Sequence, residues 1–152
     1  MKTLLLIKDK ATLLLLVLIG VGIFSCKKDS IDVEKLLTGR MWKVEEMKLQ
    51  AKNSGTFYYY KAGDASSNTN RSSDFLKFNA DNTGTYSYEG KEYATTWNFT
   101  KDEKTKMTLV VHYATPETLY LENMDITFSY FTYAQYKLGN DGYLASIRRV
   151  PD

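Results

Sequence analysis

Few side chains in this sequence are placed to do chemistry. His112 is the sole histidine and Cys26 the sole cysteine among 152 residues. One histidine excludes a multi-histidine metal site and leaves any nucleophilic triad a single candidate base. Strand phase groups His112 with Thr108 and Val110, opposite Leu109 and Val111, which predicts a solvent-side residue. No serine sits in a Gly-x-Ser-x-Gly elbow, and those from Ser66 to Ser73 lie in a polar loop unsuited to holding a nucleophile in register. Glu45-Glu46 and Asp102-Glu103 are adjacent pairs, and adjacent strand residues point to opposite faces. Neither pair supplies the facing carboxylates of a glycosidase, which leaves only acids that the fold itself brings together. No glycine-rich phosphate loop follows a strand and opens a helix. These residues predict a protein that is not an enzyme, with no catalytic group, no metal and no cofactor.

Cys26 has a different context. It follows Ala11 to Phe24, an apolar run of 14 residues behind a lysine-bearing start. That run is a secretion signal, short of the roughly 20 residues a membrane span needs. A lone cysteine forms no intramolecular disulfide, and one lodged between this run and Lys27-Lys28-Asp29-Ser30 has no packed interior to join. Ile23-Phe24-Ser25-Cys26 resembles a lipobox, the site where bacterial signal peptidase cuts before a cysteine that becomes lipid-modified. Acyl chains there anchor a protein without any insertion, since each buried methylene contributes about 0.8 kcal/mol. By the same resemblance, Lys27 in place of Asp after the cysteine implies the outer membrane of a Gram-negative envelope. Lys27-Lys28-Asp29 is faintly similar to the export tag of surface lipoproteins, so both the periplasmic side and the cell surface stay open. The division expected is residues 1–25 as lipoprotein signal peptide, 26–35 as lipid-anchored linker and start of a short helix, and 36–152 as a β domain.

Residues 1–25 carry Lys2, Lys8 and Lys10 against Asp9, so the remaining 127 residues hold 17 basic and 17 acidic side chains. A neutral domain lacks the basic field that holds nucleic acid, and its membrane contact is expected through the acyl anchor alone. All 12 Tyr, both Trp and six of the seven Phe lie beyond residue 25, a β-rich composition.

Ser30 is placed to cap a helix from Ile31 to Leu37, with Asp32 and Glu34 in its first turn and Gly39 as its stop. Its few apolar anchors predict a lid rather than a core element. From Met41 onward the period is two. Leu76 and Phe78 share a face, as do Tyr86 and Tyr88, then Tyr93 to Phe99, then Met107 to Tyr113. Further strands are expected at Thr118 to Glu122, over Asp125 to Leu138 as one bent strand or two, and at Tyr143 to Arg149. Turn residues between them, including Asp81-Asn82-Thr83-Gly84 and Glu89-Gly90-Lys91, suit antiparallel hairpins. Eight to ten strands without a crossover helix need two packed sheets or closure, and closure removes exposed edges. The phase of Trp42 and Val44 slips by one residue before Met47 and Leu49, which predicts a β-bulge near Glu45-Glu46. Ala62 to Asp74 reads as a mobile surface loop. In Tyr58-Tyr59-Tyr60 and in Phe131 to Tyr133 aromatics fall on both strand faces. They either pack across strands or present rings and hydroxyls to a ligand.

Gly39-Arg40-Met41-Trp42 after a short helix, the hairpin Phe78-Asn79-Ala80-Asp81-Asn82-Thr83-Gly84-Thr85-Tyr86, and Trp97 in a mid-chain strand resemble the lipocalin-like lipoproteins of Gram-negative envelopes. The resemblance covers residues 36 to 149. It departs from lipocalins proper in having Gly-x-x-Trp where they have Gly-x-Trp. It implies an all-β, antiparallel up-and-down β-barrel of about eight strands, closed at one end by the helix and open at the other. It also implies non-covalent binding of a small apolar or amphipathic molecule, with Tyr86, Tyr88, Trp97 and Phe99 as interior candidates. An arginine near the last strand, Arg148 or Arg149, is expected to stack on Trp42 and cap the closed end, unless the pair is simply solvated. The alternative is an accessory, inhibitor-like or glycan- or protein-interaction module whose barrel is packed solid.

Overall fold

A computed structural model describes residues 32–100, 103–138 and 142–152. The signal peptide, the Cys26 lipidation site, Lys27 to Ser30, and the expected turns at 101–102 and 139–141 lie outside the described residues. Asp32, not Ser30, caps the helix: its carboxylate accepts from the Lys35 N–H at 3.2 Å, and α1 runs Val33–Thr38. This helix is more than a lid. Leu36 and Leu37 are buried in the core, and the Leu37 carbonyl accepts from Trp42 Nε1 at 3.0 Å.

Nine strands follow: β1 Met41–Ala51, β2 Phe57–Lys61, β3 Phe75–Phe78, β4 Thr83–Tyr88, β5 Lys91–Thr100, β6 Glu103–Val111, β7 Glu117–Ile126, β8 Phe131–Lys137 and β9 Tyr143–Pro151. Each of β3 to β9 pairs antiparallel with its neighbour, and β9 returns to pair with β1, closing an eight-stranded barrel. The ninth strand, β2, is extra. One edge of β1 pairs with β3 over Met41–Lys43 and with β2 over Glu46–Gln50. Closure follows from composition: alternating strands bury one face, and a cylinder leaves no long edge unpaired.

The β1–β9 register shifts between Val44 and Glu46, the bulge expected from the slipped phase. It turns Met47 inward after Val44, keeping a single apolar face. The break between the last long strands falls elsewhere than expected. β7 continues through Asn123, whose φ of 52° accompanies a register shift before Asp125, and the turn comes at Thr127–Tyr130. Thr127 Oγ1 there accepts from the N–H groups of Ser129 and Tyr130, doing what glycine or proline does in plainer turns.

The interior is filled at the helix end only. Trp42, Phe78, Trp97 and Phe131 are fully buried and meet edge to face: Trp42 on Phe131 and Phe78 on Trp97, each with ring centroids 5.6 Å apart. Above this layer the barrel is hollow.

Candidate functional site

Antiparallel register places one end of every strand at the hollow half. On β1 the residues Val44, Met47, Leu49 and Ala51 climb from the aromatic layer to the mouth, and on β9 Arg149, Ile147 and Tyr143 climb beside them. Across the barrel stand Tyr86 and Tyr88 of β4, with Tyr113, Glu117 and Gln135 higher up. Together they enclose a cavity of about 420 Å³, within the range of small-molecule sites. An eight-stranded barrel is just wide enough to be filled or to hold one small ligand, and this one is divided between the two.

The wall has a seam. No ladder joins β2 to β4 among the described residues, and the segment between β2 and β3 fills the gap with side chains. Arg71 donates from Nη1 to Glu89 at 3.1 Å and approaches Asp74 at 3.5 Å, while its Nη2 donates to Tyr88 Oη at 3.1 Å. Its guanidinium also lies 4.4 Å from the centre of the Tyr88 ring. Asp74 Oδ1 accepts from the Glu89 N–H at 2.8 Å. Glu89 and Gly90 form the two-residue β4–β5 turn with φ of 51° and 76°, as a type I′ turn requires. Glutamate is a strained choice at positive φ, at a cost of about 1–3 kcal/mol. It is also the residue whose amide and carboxylate both close the seam.

Thus the loop expected to be mobile is tied down. Beyond Arg71 and Asp74, Asn68 accepts from the Tyr59 N–H at 2.7 Å and donates to the Phe57 carbonyl at 2.9 Å, covering the free edge of β2 as a further strand would.

Electrostatics in the cavity are set by burial. It pushes the Tyr86 phenol well above its ordinary value, with neighbouring Tyr143 adding to the shift and Arg149 opposing it. Burial raises Tyr133 and Tyr143 likewise and takes Tyr113 up to about 12. Asp74 is also raised by burial, against the lowering influence of the Glu89 N–H and Arg71. For Arg71 burial works against the charge, yet Tyr88, Asp74 and Glu89 outweigh it and hold the guanidinium above its ordinary value. Burial therefore keeps the phenols of Tyr86, Tyr113 and Tyr143 neutral, beside an Arg71 guanidinium whose charge its partners favour.

No protein-family model, curated protein or solved structure matches this chain.

Of the interior residues named from sequence, Tyr86 and Tyr88 line the cavity, with rings stacked at 6.0 Å. Trp97 and Phe99 do not. Trp97 sits in the closed half, its Nε1 donating to the Thr83 carbonyl at 2.9 Å and its ring edge-on to Phe99 at 5.6 Å. The cation over Trp42 is Arg40, at 5.6 Å, in place of the expected Arg148 or Arg149. Arg148 lies over Tyr130 outside the barrel, because the bulge sets Glu46 and Glu45 on that side and Arg148 pairs with Glu45. Arg149 points inward. It reaches Trp42 through the backbone carbonyl, at 3.0 Å, and donates from Nε to Tyr133 Oη at 2.7 Å. His112 is exposed, as its strand phase requires.

Arg71, Asp74 and Glu89 are cavity residues that no periodicity reveals. A single signal was present: an arginine and an aspartate inside an otherwise Ser/Asn-rich stretch, three residues apart.

Proposed function

We propose that this chain is a lipid-anchored envelope protein of lipocalin-like type that binds one small apolar or amphipathic molecule non-covalently in the open half of its barrel. The observation that carries the reading is the cavity itself, about 420 Å³ above a solid aromatic layer, with aliphatic side chains on one wall and tyrosine hydroxyls on the other. Anchoring rests on the lipobox resemblance at Cys26, and the absence of a catalytic constellation in the sequence favours binding over turnover.

Two measurements test it. Growth with an alkyne-tagged fatty acid should label the chain, and Cys26→Ala should abolish the label. Titration of the protein with an environment-sensitive apolar dye should saturate at one dye per chain. Leu49→Trp, which fills the cavity wall, should suppress that signal; a dye response indifferent to Leu49→Trp would place binding elsewhere.

A second reading rests on the outside of the same end. Phe57 and Leu144 both register with Gln50 across β2, β1 and β9, and are 52% and 55% exposed. An outward apolar pair there suits contact with a protein or glycan. Retained dye binding with lost partner capture in a Phe57→Ser, Leu144→Ser double variant would support this second role.

A further inference from the structure

Arg149 and Tyr86 stand at the base of the hollow half, and each keeps a polar group without a partner among the described residues. Arg149 is 2% exposed; its Nε and Nη1 serve Tyr133 and Trp42, and its Nη2 meets no acceptor among the described residues. Nor does a carboxylate lie within ion-pair distance of Arg149 among those residues. Tyr86 is 7% exposed, and its hydroxyl likewise has no hydrogen-bond partner among them. Neither atom is walled in. The enclosed side-chain atoms without partners among the described residues are Arg71 Nε and Thr95 Oγ1, so Arg149 Nη2 and Tyr86 Oη face open space, and both residues line the cavity.

Charge points the same way. The deeply buried ionic groups lining the cavity are two guanidiniums, Arg71 and Arg149, against one carboxylate, Asp74. Asp74 is already engaged by Arg71 and the Glu89 N–H, and the Glu89 carboxylate sits at the rim with its side chain 62% exposed. Asp74 also feels Arg149 and so is shared between the two guanidiniums, while Glu117 at the mouth pairs with Lys137. One deeply buried carboxylate for two guanidiniums leaves a deficit of negative charge, which an incoming anion would relieve. Beside Arg149, the side chains of Val44, Met47, Leu49 and Ile147 form an apolar wall that leads to the mouth.

We propose that the cavity takes an amphipathic monoanion head first, its carboxylate on Arg149 Nη2 and Tyr86 Oη and its apolar tail along the β1–β9 wall. The proposal rests on the binding reading above and names the chemical class of its ligand. A carboxylate matches a guanidinium donor and a neutral phenol donor together, and charge-assisted bonds of this kind are the stronger sort. The neutral phenol is available because burial holds Tyr86 protonated through the physiological range.

The test is calorimetric titration of the full chain with decanoate and with decanol, which share a tail and differ in the head. Decanoate should bind about ten- to hundred-fold more tightly, the range expected for hydrogen bonds to a charged group. Tyr86→Phe, which keeps ring and packing, should weaken decanoate about two- to ten-fold and leave decanol unchanged. Arg149→Met should remove the preference for decanoate, with thermal unfolding run alongside to confirm folding. Equal affinity for decanoate and decanol would overturn the head-first placement while leaving the binding reading intact. An unchanged decanoate affinity in Tyr86→Phe would overturn it as well. Failure of both molecules to bind would sink the proposal and the binding reading together.

Discussion

Arg149 Nη1 donates to the backbone carbonyl of Trp42 at 3.0 Å, so a buried side chain of the last strand is tied to the first strand beneath the cavity. The same guanidinium holds Tyr133 of β8, and the residues it joins are spread over three adjacent strands. Beneath it lies the aromatic layer, and across the cavity floor the Tyr86 hydroxyl, without a partner among the described residues. One side chain thus helps close the barrel and, in the binding mode proposed above, furnishes the charge for the ligand head.

Arg149→Lys tests the structural half of this role. An ammonium keeps the charge but lacks the planar fork that serves a carbonyl and a phenol together. Urea unfolding should show a loss of about 1–3 kcal/mol, the cost of leaving a buried polar group unsatisfied. An unchanged midpoint would mean that the tie adds nothing to stability.

Gly84 of β4 lies opposite Phe78 of β3, with no room for a side chain. A Cβ at Gly84 would lie 2.3 Å from the Lys77 carbonyl oxygen and 2.9 Å from Thr95 Oγ1. The first obstacle is backbone and cannot rotate away. Gly84→Ala should therefore destabilise by about 1–3 kcal/mol through overpacking, read as a lower denaturation midpoint.

Asn68 covers the open edge of β2. Asn68→Ala removes its bonds to the Tyr59 N–H and the Phe57 carbonyl. The expected loss is modest, about 0.5–1.5 kcal/mol. Hydrogen exchange at the Tyr59 amide should nevertheless accelerate well beyond the change at Met47, which stays paired within the β1–β2 ladder.

The buried phenols give the protein an alkaline limit. Burial raises Tyr86, Tyr133 and Tyr143 above 10.0 and Tyr113 to about 12. The folded state thus binds these protons more tightly than the unfolded chain, and stability must fall as pH rises above 10. Absorbance titration should show these tyrosines ionising late, with unfolding. Ionisation of all 12 tyrosines in one reversible step near 10 would contradict their burial.

Asp74 acts in the same sense at acid pH. Its folded pKa is raised from 3.8, so its proton stabilises the fold fully below that value and the effect fades as pH rises through the folded pKa. Compared with Asp74→Asn, the natural protein should gain stability as pH falls from neutral toward 4. The difference should level off below the unfolded value.

Two-residue alternation was legible in the letters because a strand with one buried side must alternate. From it followed the antiparallel strands, the need for closure, and the bulge that returns Met47 to the face of Val44. Alternation also places a residue in or out of the barrel but says nothing of its height along the axis. For this reason Tyr86 and Trp97, equally inward, part company: one lines a cavity and the other is sealed among aromatics. Height is decided by stagger between strands, which only hydrogen-bonded registers fix. The turn at Thr127–Tyr130 escaped notice because it is built from a threonine hydroxyl rather than from glycine or proline.

By itself the sequence determined a β cylinder, since local period and composition suffice to choose between helix and strand. The tertiary structure decided that the cylinder is solid at one end and hollow at the other. It decided as well that Arg71 and Asp74, drawn from the most polar stretch of the chain, are buried in its wall. Both depend on residues far apart in sequence meeting at one level of the barrel, a relation that no local pattern encodes.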